Sequence, residues 1–183
     1  MDALKRKSYT SIGGIYFWTA TIHKWRYLLE KDSAKQLIVD YLQELSLKGL
    51  ITVYGFVIMP NHIHLIWSLL KLNGKESPKS SLLKYSAHMF LKELKCQGKA
   101  WQYKVSASNK EHEIWQRDSL SVEIYSPNVA KQKLDYIHAN PVSGKWMLAK
   151  DDLHYHYSSA RFYESGKDDF GFLINLHTLF DGE

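Results

Sequence analysis

The chain has 183 residues, of which 45% are hydrophobic and 23% are charged, and its net charge is +5. This length suits one domain with its own core, and the composition excludes wholesale disorder. A single cysteine, Cys96, excludes an internal disulfide and a thiolate zinc site, so a reducing cytoplasm is the expected compartment. The basic excess suits a polyanionic partner such as nucleic acid, but it also suits an ordinary basic protein.

The first half of the chain predicts a strand, a helix and a strand pair. The aromatic and β-branched run from Ile15 to Ile22 predicts a strand, and it is too short to span a membrane. The N-terminal residues lack the pattern of a signal peptide, so no membrane association is expected. Ser33 is expected to cap a helix that runs to about Lys48. Residues 50–59 and 62–68 predict an antiparallel hairpin, because only the turn Pro60-Asn61 separates them.

The second half of the chain predicts two helices and one strand. Residues 71–81 are polar and indicate a loop, and a helix is expected from about Leu82 to Gln97. Apolar residues alternate with polar ones over residues 119–124, which predicts a fourth strand. Ser126-Pro127 has the pattern of an N-cap and a first turn, so another helix is expected to begin there. Pro141 predicts the end of that helix.

This order of elements predicts the fold class α+β. A strand, helix, strand, strand, helix, strand succession is typical of a ferredoxin-like antiparallel sheet sandwich, here with an added C-terminal helix that bears a tyrosine. We expect one domain over residues 1–183, with a core of about 13–142 and an extension of 143–183. The extension is aromatic and polar, and it is expected to wrap on the core.

Two histidines lie on one face of the third predicted strand. Side chains alternate along a strand, so His62 and His64 point to one face while Ile63, Leu65 and Trp67 point to the other. Two neutral imidazoles at this spacing can hold one divalent metal ion. Taken alone, the pair is better explained as two polar residues on the wet face of a half-buried strand.

A tyrosine and an asparagine lie one turn apart on the last predicted helix. Ala130, Leu134 and Ile137 form the stripe that is expected to face the core. Tyr136 and Asn140 are four residues apart, so they lie together on a neighbouring stripe. Each residue also has a purely structural explanation. Tyr136 can be a boundary residue with its hydroxyl in water, and Asn140 can simply end the helix.

Together the two motifs resemble those of a known family. The segments Met59-Pro60-Asn61-His62-Ile63-His64-Leu65 and Tyr136-Ile137-His138-Ala139-Asn140-Pro141-Val142 resemble the histidine motif and the tyrosine helix of single-tyrosine HUH transposases. Trp115-Gln116-Arg117-Asp118 and Tyr157-Ser158-Ser159-Ala160 are similar to flanking segments of that family. The resemblance extends over most of the chain, from about residue 15 to residue 163.

Two details of the motifs differ among the relatives. Many mobile-element transposases have glutamine where this chain has Asn140, and asparagine resembles the branch that is associated with repetitive extragenic palindromes (REP). Relatives usually continue after the Asn-Pro-Val motif with a basic and small-apolar stretch. Here Ser143-Gly144-Lys145-Trp146 follows, a departure that concerns DNA contacts of this segment rather than the active site.

The resemblance implies a DNA-nicking and strand-joining enzyme. In such an enzyme Mg²⁺ or Mn²⁺ would be bound by His62, His64 and the side-chain oxygen of Asn140, and Tyr136 would attack the scissile phosphate to give a 5′-phosphotyrosine. A phenol is mostly protonated at neutral pH, so the metal or a base such as His138 must help. The expected partner is single-stranded or hairpin DNA, and the expected state is a monomer or a homodimer.

Basic residues outside these motifs are candidates for DNA contact. At 100° per residue, five side chains of the second predicted helix fall within roughly 80° of one another. They are Lys84, His88, Lys92, Lys95 and Lys99. Such a stripe could follow a phosphate backbone, or it could be the solvated face of the helix. Arg117, near the fourth strand, is a further candidate.

Three other functions compete with this interpretation. A histidine-triad phosphohydrolase would need a third histidine where this chain has Ile66. A non-catalytic nucleic-acid-binding module of the same fold would carry aromatic residues on the sheet face where the histidines are expected. An inactive remnant of a mobile element is disfavoured, because both motifs are intact.

Overall fold

The structure is a computed structural model that describes residues 10–117 and 119–180, so Asp118 of the flanking motif lies outside the described residues. Its strands and helices are, in chain order, β1 (Ile15–Thr21), α1 (Asp32–Leu47), β2 (Ile51–Ile58), β3 (His62–Leu69), α2 (Pro78–Cys96), β4 (Lys104–Ala107), β5 (Lys110–His112), β6 (Leu120–Glu123), α3 (Pro127–Ala139) and α4 (Ala160–Ser165). Short 3-10 helices connect several of them. No helix in the described part of the chain is long and apolar enough to cross a bilayer.

The main sheet has four antiparallel strands in the order β2-β3-β1-β6. Strands β1 and β3 are therefore central, and β2 and β6 lie at the edges. Strands β2 and β3 pair directly through the turn at Pro60-Asn61, as the short connection predicts. This order confirms the predicted α+β, ferredoxin-like sheet, which is also the arrangement that places β1 beside the histidine strand.

Helices cover both faces of this sheet. On one face, α1 and α2 pack on side chains such as Trp18 and Trp67, whose rings stack 5.0 Å apart. On the other face, α3 packs through Leu134 and Ile137 on Phe17 and Ile66. Side chains alternate along β3, so His62 and His64 point toward α3 while Trp67 points toward α1 and α2. The tyrosine helix and the histidine pair therefore share one face of the sheet.

Two local features differ from the predictions. Helix α2 begins at Pro78, one turn before Leu82, because Ser77 caps it by accepting a hydrogen bond from the Ser80 amide at 3.2 Å. Ser33 is not the N-cap of α1, which begins at Asp32 without a side-chain cap. The hairpin of β4 and β5 was not predicted, since its strands are short and mostly polar.

The C-terminal extension covers the free edge of β2. The amide of Ile58 donates to the Tyr157 carbonyl at 2.9 Å, and the amide of Ser159 donates to the Phe56 carbonyl at 2.9 Å. Further along, the amide of Ile174 donates to the Val53 carbonyl at 3.0 Å. An uncovered edge strand would expose unpaired backbone groups, so this tail completes the sheet as well as wrapping on it.

Candidate active site

A neighbouring polar side chain holds each of the two histidine rings. Thr19 lies opposite His64, and its Oγ1 is 2.7 Å from His64 Nδ1. His62 Nδ1 is 2.7 Å from Asn61 Oδ1, an oxygen that only accepts, so His62 Nδ1 carries the hydrogen. The Nε2 lone pair of His62 is consequently free, which is the form in which an imidazole binds a metal ion.

Both imidazoles are buried and held neutral. Burial lowers the pKa of His62 to about 4, with a smaller contribution from the positive charge of Lys145. Burial likewise lowers the pKa of His64 to about 3, and His62 and Lys133 add to the effect. The two rings lie 4.7 Å apart, centroid to centroid. At neutral pH the pair therefore presents lone pairs rather than charges.

The tyrosine helix begins at a well-formed cap and packs closely on the sheet. Ser126 accepts a hydrogen bond from the Val129 amide at 3.3 Å, and Pro127 occupies the first turn, as predicted. Leu134 and Ile137 lie over Gly55 of β2, where a Cβ would be only 2.9 Å from Leu134 Cδ2. The missing side chain of Gly55 thus allows α3 to approach the sheet.

Tyr136 and Asn140 reach the histidines from this helix. The Tyr136 ring lies 5.3 Å from the His64 ring and 5.9 Å from the Phe17 ring, and the residue is 51% exposed. Asn140 is buried, and its Nδ2 is 3.4 Å from His64 Nε2. All four predicted site residues therefore line one cavity of about 670 Å³.

The donors in this cavity suit a hard divalent cation only in part. The cavity offers the imidazole nitrogens of His62 and His64 and the side-chain amide of Asn140. The Nδ2 of Asn140 faces His64 Nε2, so this amide would have to turn over to offer its oxygen to a cation. No group of three or more His, Cys, Asp or Glu side chains that could hold a metal occurs within residues 10–117 and 119–180. Mg²⁺ and Mn²⁺ favour oxygen ligands, so most of the coordination shell would come from water and phosphate oxygens.

Several residues of the cavity were missed in the sequence. Lys133 and Lys145 bring positive charge to it, and Trp25 and Trp146 form part of its wall. Lys133 precedes Tyr136 by one helical turn, a spacing that could have identified it. Thr19 could be identified only once the register of β1 against β3 was known. The other three lie in irregular segments for which the sequence offered no periodic signal.

Other predicted residues lie away from the cavity. The predicted lysines are exposed, and none lines the cavity, because α2 packs on the opposite face of the sheet. Three of them lie on α2 and the fourth lies just beyond its end: Lys84, Lys92, Lys95 and Lys99. Lys84 forms an ion pair with Glu76, and Lys99 lines a separate groove with Lys24 and Arg26. Contact of these lysines with DNA stays a prediction.

Arg117 and His138 differ in their relation to the cavity. Arg117 is exposed, with its Nε 3.7 Å from a carboxylate oxygen of Glu113, and it lines a small hollow that shares Thr19 and Leu120 with the cavity. His138 points away, and its Nε2 is 2.8 Å from the hydroxyl of Ser159. His138 is therefore not placed to accept a proton from Tyr136.

Comparison with known proteins bears on the fold. No protein-family profile matches the chain, and no curated protein matches it. The structure of a REP-associated tyrosine transposase bound to a REP hairpin is similar, with a TM-score of 0.60 and 21% identity, covering 96% of this chain and 93% of that one. A candidate transposase from Deinococcus radiodurans R1 has a TM-score of 0.42 and 15% identity, covering 75% of this chain and 95% of that one, and this likeness is too weak to carry an argument. The chain therefore has the fold of a REP-associated tyrosine transposase, which confirms at the level of the fold the resemblance that its motifs predicted.

Proposed function

We propose that this protein is a transposase that nicks and rejoins single-stranded DNA through Tyr136, with a divalent metal ion held by His62, His64 and Asn140. One observation carries the proposal: an exposed tyrosine from α3 and two neutral, oriented imidazoles from β3 line the same cavity, although 72 residues (136 − 64) separate them in the chain. The shared fold with a REP-associated tyrosine transposase supports it.

In the proposed reaction, Tyr136 acts as the nucleophile. Its hydroxyl oxygen forms a bond to the scissile phosphorus while the bond from phosphorus to the 3′ oxygen breaks. The products are a 5′-phosphotyrosine and a strand that ends in a 3′-hydroxyl, which takes up a proton. The phenol proton leaves to water, because Tyr136 is half exposed and no described base contacts its hydroxyl.

Positive side chains of the cavity would help to balance the charge on the phosphate. Lys133 and Lys145 line it and supply two positive charges, while the neutral imidazoles add no charge of their own. A bound Mg²⁺ or Mn²⁺ would polarise the phosphate and stabilise the charge that develops during attack. Asn61 and Thr19 would keep the imidazoles of His62 and His64 in the ligating orientation.

Strand transfer follows from the chemistry of the covalent link. The phosphotyrosine ester retains the energy of the phosphodiester, so attack by a 3′-hydroxyl restores a DNA strand and frees Tyr136. Neither ATP nor a phosphate-binding glycine loop is required for this exchange. The enzyme would thus be a strand-joining transposase rather than a simple nuclease.

The proposed substrate is single-stranded DNA next to a hairpin. The cavity is open to solvent at Tyr136, and backbone in a stacked duplex is hard to bend into line with a tyrosine fixed on a packed helix. The similarly folded transposase is bound to a REP hairpin, which supports a hairpin substrate for this chain as well. Cytoplasmic action and a monomer or homodimer are part of the same proposal.

The decisive experiment is to trap the covalent adduct. Wild-type protein is incubated with Mn²⁺ and a library of single-stranded oligonucleotides that contain hairpins, and adducts are resolved under denaturing conditions. Tyr136→Phe should abolish the adduct without loss of fold, because it removes one exposed hydroxyl. Tyr125→Phe is the matched control, since Tyr125 is 80% exposed, precedes α3 and does not line the cavity. Persistence of the adduct in Tyr136→Phe would refute the assignment.

A non-catalytic nucleic-acid-binding module is the second candidate. The small number of metal ligands favours it, because the described residues contain no cluster of three His, Cys, Asp or Glu side chains. Such a module would bind the oligonucleotides but form no adduct with any metal, and Tyr136→Phe would bind DNA as the wild type does. A histidine triad is disfavoured, since Ile66 is fully buried in the core.

A further inference from the structure

Two tryptophans form a wall of the cavity beside His62, and a tyrosine packs against one of them. The rings of Trp25 and Trp146 lie 6.2 and 6.0 Å from the His62 ring, and Tyr27 lies 5.7 Å from Trp146. Trp25 is 57% exposed and Tyr27 is 50% exposed. Three of the six tryptophans are buried in the core: Trp18, Trp67 and Trp115. Trp25 instead leaves more than half of its surface to solvent at the cavity, where an indole face can meet a ligand.

The position of Trp25 is enforced by the backbone. Lys24 and Trp25 have φ angles of 55° and 58°, in the left-handed region that side chains other than glycine rarely adopt. The amide of Trp25 donates to the Ile22 carbonyl at 2.9 Å, and its carbonyl accepts from Asn61 Nδ2 at 3.2 Å. The Asn61 side chain that orients His62 therefore also fixes the exposed tryptophan.

Trp146 lies in the segment that follows the end of the tyrosine helix. Ser143, Gly144, Lys145 and Trp146 all line the cavity. Lys145 Nζ lies 5.0 Å from the Trp146 ring centroid, so a positive charge accompanies the aromatic face. The amide of Leu148 donates to the Pro141 carbonyl at 2.8 Å, which ties the segment back to the end of the tyrosine helix.

We infer that Trp25 and Trp146, supported by Tyr27, stack on an unpaired nucleobase next to the phosphate that Tyr136 attacks; this inference rests on the proposed function. Every nucleobase has a π face, so stacking on indoles binds a strand without reading its sequence. A base inside a duplex has both faces covered by its neighbours and cannot enter. This pair of tryptophans, Trp25 and Trp146, is called the clamp. The clamp therefore selects unpaired strands, and Lys145 binds the adjoining phosphate.

The test compares DNA with and without bases. Two oligomers of about 12 nucleotides, oligothymidylate and a chain of abasic sites, are bound to metal-free Tyr136→Phe protein, so that no strand is cut. We expect oligothymidylate to bind about tenfold more tightly, which corresponds to about 1.4 kcal/mol and is the size of effect that stacking of one base produces. Adding Trp25→Ala and Trp146→Ala should bring the two affinities close together. The dependence of DNA affinity on salt concentration should not change, because the phosphate contacts remain.

The controls separate stacking from folding. Trp101→Ala removes a tryptophan that is 70% exposed and lies outside the cavity, so it should preserve the ratio. Trp25→Phe should retain part of it, because an aromatic face remains. Equal binding of both oligomers, or an equal loss for both in the double alanine variant, would overturn the clamp. If the wild type forms the covalent adduct but the Tyr136→Phe protein binds both oligomers equally, only the clamp is refuted. If oligothymidylate binds more tightly but the wild type forms no adduct, only the proposed catalysis is refuted.

Discussion

Replacing Gly55 by alanine should loosen the tyrosine helix from the sheet. A methyl group at this position would lie 2.9 Å from Leu134 Cδ2, 3.1 Å from Ile137 Cδ1 and 3.4 Å from Ser159 Oγ. The first distance is shorter than carbon atoms tolerate, and the second is tight, so both side chains of α3 must move. The φ angle of Gly55 is not in the left-handed region, so the strain arises from packing alone.

The expected loss of stability is moderate. Overpacking of a core by one methyl group costs about 1–3 kcal/mol, whereas a change from glycine to alanine returns about 0.4–1 kcal/mol by restricting the unfolded chain. The free energy of unfolding should therefore fall by about 1–2 kcal/mol. For a chain of this length, that corresponds to a fall of roughly 2–8 °C in Tm.

The measurement is a double-mutant cycle by urea unfolding, together with the rate of adduct formation. In a Leu134→Ala background the methyl group of Ala at position 55 finds space, so its cost should largely disappear. Adduct formation by Gly55→Ala should slow by more than the fraction unfolded explains, because Tyr136 moves with α3. A variant as stable as the wild type, or an equal cost in both backgrounds, would refute the packing argument.

Two further predictions concern the histidines. His62→Ala or His64→Ala should each reduce the rate of metal-dependent adduct formation at least tenfold. Asn140→Ala should reduce this rate less, and Asn140→Gln should keep part of it. Metal titrations and melting temperatures are measured for each variant, and a wild-type rate at low Mn²⁺ in either histidine variant would contradict the prediction. The second prediction concerns pH. The folded-state pKa values are about 4, 3 and 4 for His62, His64 and His138, below the ordinary value of 6.5, so the unfolded chain binds protons first as the pH falls. Stability without metal should therefore decrease from pH 6.5 toward pH 4, by up to about 4 kcal/mol per pH unit for three histidines. Urea unfolding at several pH values measures this slope, and His138→Gln should lower it by about one third; a flat profile would contradict it.

Periodicity predicted the elements that position the catalytic candidates. Alternation along β3 placed His62 and His64 on one face, and helical spacing placed Tyr136 beside Asn140. Both are local properties of a regular element, so a single sequence is enough to derive them. The histidine face of β3 lies opposite α3 because α1 and α2 cover the other face of the sheet. Helix α3 is an addition to the ferredoxin-like pattern, so its packing on this face was not predicted.

The positive charges of the cavity were harder to predict. The lysine stripe of α2 is regular and conspicuous, yet α2 packs on the face of the sheet opposite to Tyr136. Lys145 lies in an irregular segment and reaches the cavity only because that segment folds back on the end of α3. Periodicity shows which face of a helix is exposed to solvent, but it does not show whether that exposed face borders the candidate active site.

The contribution of the C-terminal extension was beyond sequence reasoning for a similar reason. Its hydrogen bonds to β2 are made by backbone groups, which every residue possesses. Ser159 illustrates the difficulty: its hydroxyl accepts from the Phe56 amide at 3.0 Å and lies 2.8 Å from His138 Nε2. A serine about a hundred residues from β2 thus links the sheet edge to the tyrosine helix, and its hydroxyl carries no signal of that role.

The turn between β2 and β3 shows how a structural residue can also belong to a site. Asparagine after proline is sufficiently explained as turn chemistry, which is how Asn61 was interpreted. Its side chain, however, accepts from His62 Nδ1 and donates to the carbonyl of Trp25. Aspartate would keep the turn and accept from the imidazole, but it could not donate to that carbonyl, and its charge would raise the pKa of His62. Asparagine, unlike aspartate, therefore keeps the imidazole neutral while it holds the backbone of the exposed tryptophan in place.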